Sequence, residues 1–149
     1  MDVVDSIMQK NVAFISKNET VYDAAKLMKK RDTGYLVVTG EYGKFLPLKE
    51  LGIITETDLL KRVVAEDLTP HDVPVSKVMT KGLITVETGT PIDEVNMIMG
   101  KNNIRRIAIL DGGKVVGIVT SKEISDSYRI ISARRLVHRK YDERFEPEI

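Results

Sequence analysis

The sequence predicts an α/β fold of the α+β type, built from two β-α-β-β-α repeats that pack about a pseudo-twofold axis and end in an extended C-terminal helix. Three observations predict it. The chain matches itself at a fixed offset. Each copy carries one apolar helix face between short strand patterns. Each copy also closes its last strand with the same Gly-apolar-apolar-Thr turn.

Met8 laid on Met79 gives an offset of 71 residues. Ile15 then falls on Val86, Val21 on Ile92, Leu27-Met28 on Ile98-Met99, and Leu36-Val37-Val38 on Ile107-Ala108-Ile109. Beyond the second strand the offset drops to 65, which lays Gly52-Ile53-Ile54-Thr55 on Gly117-Ile118-Val119-Thr120 and Asp58 on Glu123. The first copy therefore holds six extra residues between its second and third strands. Residues 1–68 form the first repeat, 69–74 a polar linker with a proline near each end, 75–130 the second repeat, and 131–149 a basic C-terminal helix or tail.

The elements follow in order. A short β segment opens each copy, at Val12 to Ile15 and at Leu83 to Val86. In the next segment Val21, Ala24, Ala25 and Met28 fall on one helix face, and Ile92, Val95 and Met99 repeat it. Thr90 is the expected N-cap of the second of these helices, with Pro91 at its first position and an acid in the first turn. Thr20 and Asp23 offer a comparable capping box in the first copy. Strands are expected at Tyr35 to Thr39 and Leu51 to Thr55, and at Ile107 to Leu110 and Val115 to Thr120. Asp111-Gly112-Gly113-Lys114 supplies the positive-φ residues of a tight hairpin between the latter pair. A second helix closes each copy, from about Asp58 to Glu66 and from about Glu123 onward. A three-stranded sheet with helices on one side leaves its other face bare, so the two copies cover each other and create two equivalent clefts. Seams of this kind are common ligand sites.

Composition excludes several classes. The chain has 149 residues, 42% hydrophobic and 30% charged, which suits a folded domain with a real core. A net charge of +1 makes the whole chain no electrostatic magnet for nucleic acid or membrane. The absence of cysteine excludes disulfides, thiolate metal sites and a cysteine nucleophile. No apolar run approaches the roughly 18 residues of a membrane helix, and the acidic start lacks a signal-peptide pattern, so a cytoplasmic location is expected. There is no phosphate loop, no Gly-x-Gly-x-x-Gly turn and no serine in a nucleophile elbow. His71 and His138 lie far apart with no third ligand. Regulatory binding, not catalysis, is the expectation.

The sharpest local feature is Gly52-Ile53-Ile54-Thr55-Glu56-Thr57-Asp58, which ends a strand and opens a helix. A helix N-terminus suits a phosphate. A carboxylate there can accept both hydroxyl protons of a cis-diol, and charge-assisted bonds of this kind are worth about 1.5–3 kcal/mol each. The plainer reading of Thr and Asp at this spacing is a helix cap.

The whole arrangement resembles the cystathionine-β-synthase (CBS) domain family in its tandem-pair form, the Bateman module. The residues that carry the resemblance are the repeat itself, Met8 and Met79, Arg105-Arg106-Ile107-Ala108-Ile109-Leu110-Asp111, and the two Gly-h-h-Thr-x-x-acid turns. It implies an adenine-containing ligand in the inter-repeat clefts: AMP, ADP or ATP, or else S-adenosylmethionine or an NAD-like molecule. Carried over by position, it places Thr55, Thr57 and Asp58 in cleft one, with Leu83 and Ile84 near the base. It places Arg105, Arg106, Thr120, Lys122 and Glu123 in cleft two, with Val12, Ala13 and Tyr35 near the base. Cleft two then holds the cations and is expected to prefer a phosphorylated ligand. Cleft one, with Gly34 and Tyr35 at the corresponding positions, is expected to take a weakly charged ligand or none. For Arg105, Arg106 and Lys122, plain solvent exposure is the other reading.

Two regions lie outside the repeat. The insertion at 41–50, with Phe45 and Leu48, is apolar for a hairpin loop, and either lines a homodimer interface or folds back on its own sheet. The tail carries Arg129, Arg134, Arg135, Arg139, Lys140 and Arg144 against Asp142 and Glu143, with Ile130, Ala133, Val137 and Tyr141 in a helical stripe. It reads as an amphipathic helix packing on the module or on a symmetry mate. Recognition of an acidic partner, an unidentified regulated protein or nucleic acid is the alternative.

Overall fold

The computed structural model describes residues 2–40 and 51–145, with 138–145 described as backbone only. The insertion at 41–50 and the side chains of the tail beyond Val137 lie outside the described residues.

Strand β1 (Phe14–Ser16) leads into helix α1 (Val21–Arg31). Thr20 and Asp23 form the anticipated capping box: each backbone N–H donates to the other's side chain at 3.2 Å. The Thr20 hydroxyl, donating to Asp23 Oδ2 at 2.9 Å, and then the Thr20 N–H hold the Asp23 carboxyl below its ordinary value. Asp32 ends the helix in the left-handed region, after a last turn of Lys29, Lys30 and Arg31. Val21, Ala24 and Met28 face the core. Ala25, expected beside them, is exposed, because it sits at the edge of the stripe and looks into a groove that Leu59, Leu60 and Val64 also line.

Strands β2 (Tyr35–Thr39) and β3 (Gly52–Thr55) pair antiparallel, and β1 pairs parallel to β2. The helix expected from Asp58 to Glu66 is instead one α-turn, α2 (Glu56–Leu59), continued by a π-helical turn over Leu60–Val64. Its wider bond runs from Ala65 N–H to Leu60 O at 2.9 Å, and Leu68 N–H closes the end on Val63 O at 3.0 Å around Asp67, which is in the left-handed region.

The second half repeats the pattern with α3 (Val75–Val78), β4 (Thr80–Lys81), β5 (Thr85–Glu87), α4 (Ile92–Asn102), β6 (Arg106–Asp111), β7 (Lys114–Thr120) and α5 (Ser121–Phe145). Both opening β segments start two residues later than expected, so Val12, Ala13, Leu83 and Ile84 precede their strands. The α4 cap also shifts by one residue. Pro91 is the N-cap, without a side-chain bond, while the Thr90 hydroxyl donates to Glu87 O at 2.7 Å. The N-terminal segment fixes this register, since Val4 N–H donates to Thr90 O at 2.9 Å.

The two halves are interlocked, which the sequence pattern did not reveal. Strand β4 belongs to the second half but extends the first half's sheet, giving the order β1-β2-β3-β4 against β5-β6-β7. Thr80 pairs with Ile53, and its counterpart Gln9 forms a bridge with Ile118. Val75, Val78 and Met79 are buried in the core of the first half, and Val4 in the core of the second. Each half therefore lends its opening turn to the other. This crossing also explains the motif glycines. A Cβ at Gly52 would lie 2.8 Å from Thr80 O, and one at Gly117 would lie 2.5 Å from Met8 Sδ. Between the sheets, Val37, Leu51, Ala108, Leu110, Val115 and Ile118 form a buried layer. Burying an aliphatic side chain of this kind contributes about 1.5–3 kcal/mol. The linker is tied down as well: Val73 is buried, and the His71 ring stacks on Tyr22 at 3.9 Å.

Candidate functional site

The turn from β3 into α2 is a capping box. Thr55 N–H donates to Asp58 Oδ2 at 2.9 Å, and Asp58 N–H donates to Thr55 Oγ1 at 3.2 Å. The local reading as a cap is therefore correct, yet the same two side chains also line a cavity of about 440 Å³ at the seam between the repeats. The remaining oxygen, Asp58 Oδ1, lies 3.7 Å from Arg62 Nε, in a pair whose arginine side chain is 52% exposed. That pairing is weak and can be exchanged.

The opposite wall comes from the second half. Leu83, Ile84 and Ile104 supply apolar surface, and Lys81, Arg105 and Arg106 supply three cations against the single carboxylate of Asp58. Arg106 Nε is buried and has no hydrogen-bond partner among the described residues. Its guanidinium stacks on the Tyr35 ring, 5.2 Å from the centroid.

This geometry adds to the cleft assignment made from sequence. Arg105 and Arg106 line the cavity of Thr55 and Asp58, and Arg106 also stacks on Tyr35, whose hydroxyl reaches the cleft of Thr120 and Glu123. Both positions lie where the repeats meet, beside the pseudo-twofold axis. Equivalence in sequence cannot say which of two neighbouring clefts a side chain there enters. Cleft one, expected to be weakly charged, is thus lined by Lys81, Arg105 and Arg106. Lys81, Thr80 and Ile104 were missed. Lys81 sits two residues before Leu83 and was legible from that spacing.

In cleft two, Thr120 N–H donates to Glu123 Oε2 at 3.1 Å, and the Thr120 hydroxyl donates to the same oxygen. Gln9, which sequence reasoning overlooked, spans the cleft. Its Nε2 donates to Glu123 Oε1, and its Oε1 accepts from the Tyr35 hydroxyl. Both Glu123 oxygens are thus occupied by the protein itself. Burial, with the nearby Glu123 charge adding and Arg106 opposing, pushes the Tyr35 phenol up to about 12. Lys122 faces solvent and pairs with Asp126 at 3.8 Å. Thr57 is exposed and does not line the cavity of cleft one. Val12 packs between the sheets, and the Ala13 carbonyl accepts from Val37 N–H at 3.0 Å.

Among the described residues no cluster of His, Asp and Glu could hold a metal ion, and no helix is long and apolar enough to cross a membrane.

Two α/β repeats that exchange their opening turns, with a cavity at their seam, define a tandem-repeat module of the Bateman type. The chain belongs to the CBS domain family, whose model matches residues 4–65 and 75–129. It is 32% identical over 118 residues to an uncharacterized protein of Methanocaldococcus jannaschii, covering 79% of this chain and 61% of that protein. The chain thus spans less than two thirds of that relative's length. Among solved structures it resembles a conserved protein from Pyrococcus horikoshii, with a TM-score of 0.71, 33% identity, and coverage of 87% of this chain and 96% of that one. It shares its fold with a CBS domain protein from Pyrobaculum aerophilum that was solved complexed with AMP. That likeness has a TM-score of 0.69 at 21% identity, over 82% of this chain and 89% of that one.

Proposed function

We propose that the chain is a regulatory module that binds a phosphorylated adenine nucleoside in cleft one, and that cleft two takes such a ligand far more weakly. One observation carries this reading. A part-apolar cavity holds one carboxylate and three cations, of which Arg106 keeps a buried, unpartnered Nε–H. Ribose hydroxyls would donate to Asp58, displacing its exchangeable pair with Arg62. The base would lie against Leu83, Ile84 and Ile104. Phosphate oxygens would accept from Lys81, Arg105 and Arg106, with the arginines able to bind bidentately. Three cations favour ADP and ATP over AMP, and AMP over an uncharged nucleoside. The AMP complex of the Pyrobaculum relative supports the ligand class. In cleft two the counterparts of Lys81, Arg105 and Arg106 are Lys10, Gly34 and Tyr35, and the Gln9 bridge occupies Glu123.

Titration calorimetry with adenosine, AMP, ADP, ATP, S-adenosylmethionine and NAD tests this directly. The expected result is one strong site per chain, with affinity rising with phosphate number. Arg106→Ala should weaken ADP binding by about ten- to a hundred-fold, the loss of one charged hydrogen-bonding partner. Equal affinity for adenosine and ADP would remove the cationic wall from the site.

A further inference from the structure

Arg62 stands behind cleft one without lining it. Its guanidinium makes two contacts of unequal strength. Nη1 donates to Val78 O at 3.0 Å, in a part-buried bond. Nε lies 3.7 Å from Asp58 Oδ1, beyond hydrogen-bonding distance. Val78 ends α3, and a helix end leaves carbonyls in need of a donor. The guanidinium is therefore anchored on α3, and its contact with Asp58 is the looser of the two.

The carboxylate it faces has little freedom. The Asp58 side chain is 13% exposed, and its Oδ2 accepts from Thr55 N–H at 2.9 Å. Oδ1 is the oxygen left for a ligand, and Arg62 Nε lies beside it. A cis-diol that donates both hydroxyls to one carboxylate draws on that oxygen.

Cleft two is built differently. At the offset of 65, Arg62 lies on Ser127, which is buried. Glu123 is held instead by Gln9, from the opening turn of the first half. At the offset of 71, Gln9 lies on Thr80, which lines cleft one. The two acids are thus restrained by unrelated groups: Glu123 by an amide from across the seam, Asp58 by a cation four residues further along its own helical turn.

We propose that Arg62 sets the ribose selectivity of cleft one. Held on Val78 O, it lies across Asp58 Oδ1 and yields when a cis-diol arrives, so it weakens ligands that carry the diol and spares those without it. It acts through Asp58, as a positioning residue. The inference rests on the reading of Asp58 as the ribose acceptor. An exposed pair of this kind sets the size of the effect at about two- to five-fold in affinity.

Calorimetry with ADP and with its dideoxy analogue tests the proposal, because the analogue keeps the base and phosphates and lacks both ribose hydroxyls. The readout is the ratio of the two dissociation constants, in which any change in general attraction for phosphate cancels. The wild type should prefer ADP. Arg62→Met should raise that preference by about two- to five-fold, with circular dichroism confirming that the variant folds. In an Asp58→Asn background the same substitution should leave the ratio unchanged, since no charge remains to be held. Salt gives an independent measure on the unaltered chain. Raising it from about 0.05 M to about 0.5 M screens an exposed pair, so the wild-type preference should grow while that of Arg62→Met stays level. A purely structural role for Arg62 would lower the affinity for both nucleotides alike. A preference for ADP that neither Arg62→Met nor salt increases would overturn the proposal and leave the ribose assignment standing. Equal affinity of the wild type for both nucleotides, or no binding of either, would overturn both.

Discussion

Tyr35 and Arg106 occupy equivalent positions in the two repeats, and they meet, with the guanidinium carbon 5.2 Å from the phenol ring centroid. Arg106 also lines cleft one, while the Tyr35 hydroxyl donates into the Gln9–Glu123 chain of cleft two. One stacked pair therefore touches both clefts.

The Tyr35 phenol gives this pair a pH signature. Its value is raised to about 12 from 10.0, so the folded state holds the proton more tightly than the unfolded state. The stability it contributes is full below pH 10 and is lost as pH rises through about 12. The hydrogen bond to Asp93 also raises the Tyr128 phenol, so ultraviolet titration should show a late-ionising phenol beyond that of Tyr128 that is missing in Tyr35→Phe. A Tyr35→Phe curve that matches the wild type would contradict the buried assignment.

Asp58 has two roles that substitution can separate. Asp58→Asn keeps an oxygen to accept from Thr55 N–H, so stability should change by less than about 0.5 kcal/mol. Nucleotide affinity should nevertheless fall by about ten-fold, through loss of the charge that accepts the ribose hydroxyls. Asp58→Ala removes the N3 half of the capping box as well, leaving the Thr55 N–H without its acceptor, and should cost about 1 kcal/mol of stability. Denaturant unfolding and calorimetry on the two variants distinguish the effects.

Gln9 should control the second cleft. Gln9→Ala breaks the bridge between Tyr35 and Glu123 and frees a Glu123 oxygen. The expected outcome is a measurable second binding event for adenosine, with the strong site unchanged. Calorimetry that still shows a single event would mean that Gln9 is not what occupies the cleft.

Gly52→Ala should be the more damaging of the two motif-glycine changes. Its new Cβ meets a backbone oxygen, Thr80 O, at 2.8 Å, whereas that of Gly117→Ala first meets the flexible Met8 side chain. Overpacking of this kind costs about 1–3 kcal/mol. Gly117→Ala should recover part of its loss when combined with Met8→Ala, as read by thermal unfolding.

Exchange of the opening turns also bears on autonomy. A fragment of residues 1–68 lacks Val75, Val78 and Met79, which are buried in its core, and it exposes the intersheet layer. It should give the narrow amide dispersion of an unfolded chain in a proton–nitrogen spectrum, and mixing it with residues 69–149 should restore dispersed signals.

Much of this was legible in the amino-acid order. The offset of 71 residues from Met8 to Met79 revealed the duplication. The Val21–Ala24–Met28 periodicity found the buried face of α1, and Thr20 and Asp23 marked its start. Thr55 and Asp58 were placed together because their three-residue spacing is a local property of any strand-to-helix turn. The Thr90 cap was misplaced by one residue, because its register is set by Val4, which is far away in sequence.

By itself, then, the sequence determined the two repeats, the first helix and the paired strands of each, and the acid at each turn, since these follow from local pattern. Only the tertiary structure decided that the opening turns cross over, that Arg105 and Arg106 join Asp58, and that Gln9 occupies the other cleft. Those outcomes depend on which of two near-equivalent surfaces a segment meets across a pseudo-symmetry axis. Local pattern is the same for both choices, and packing alone breaks the tie.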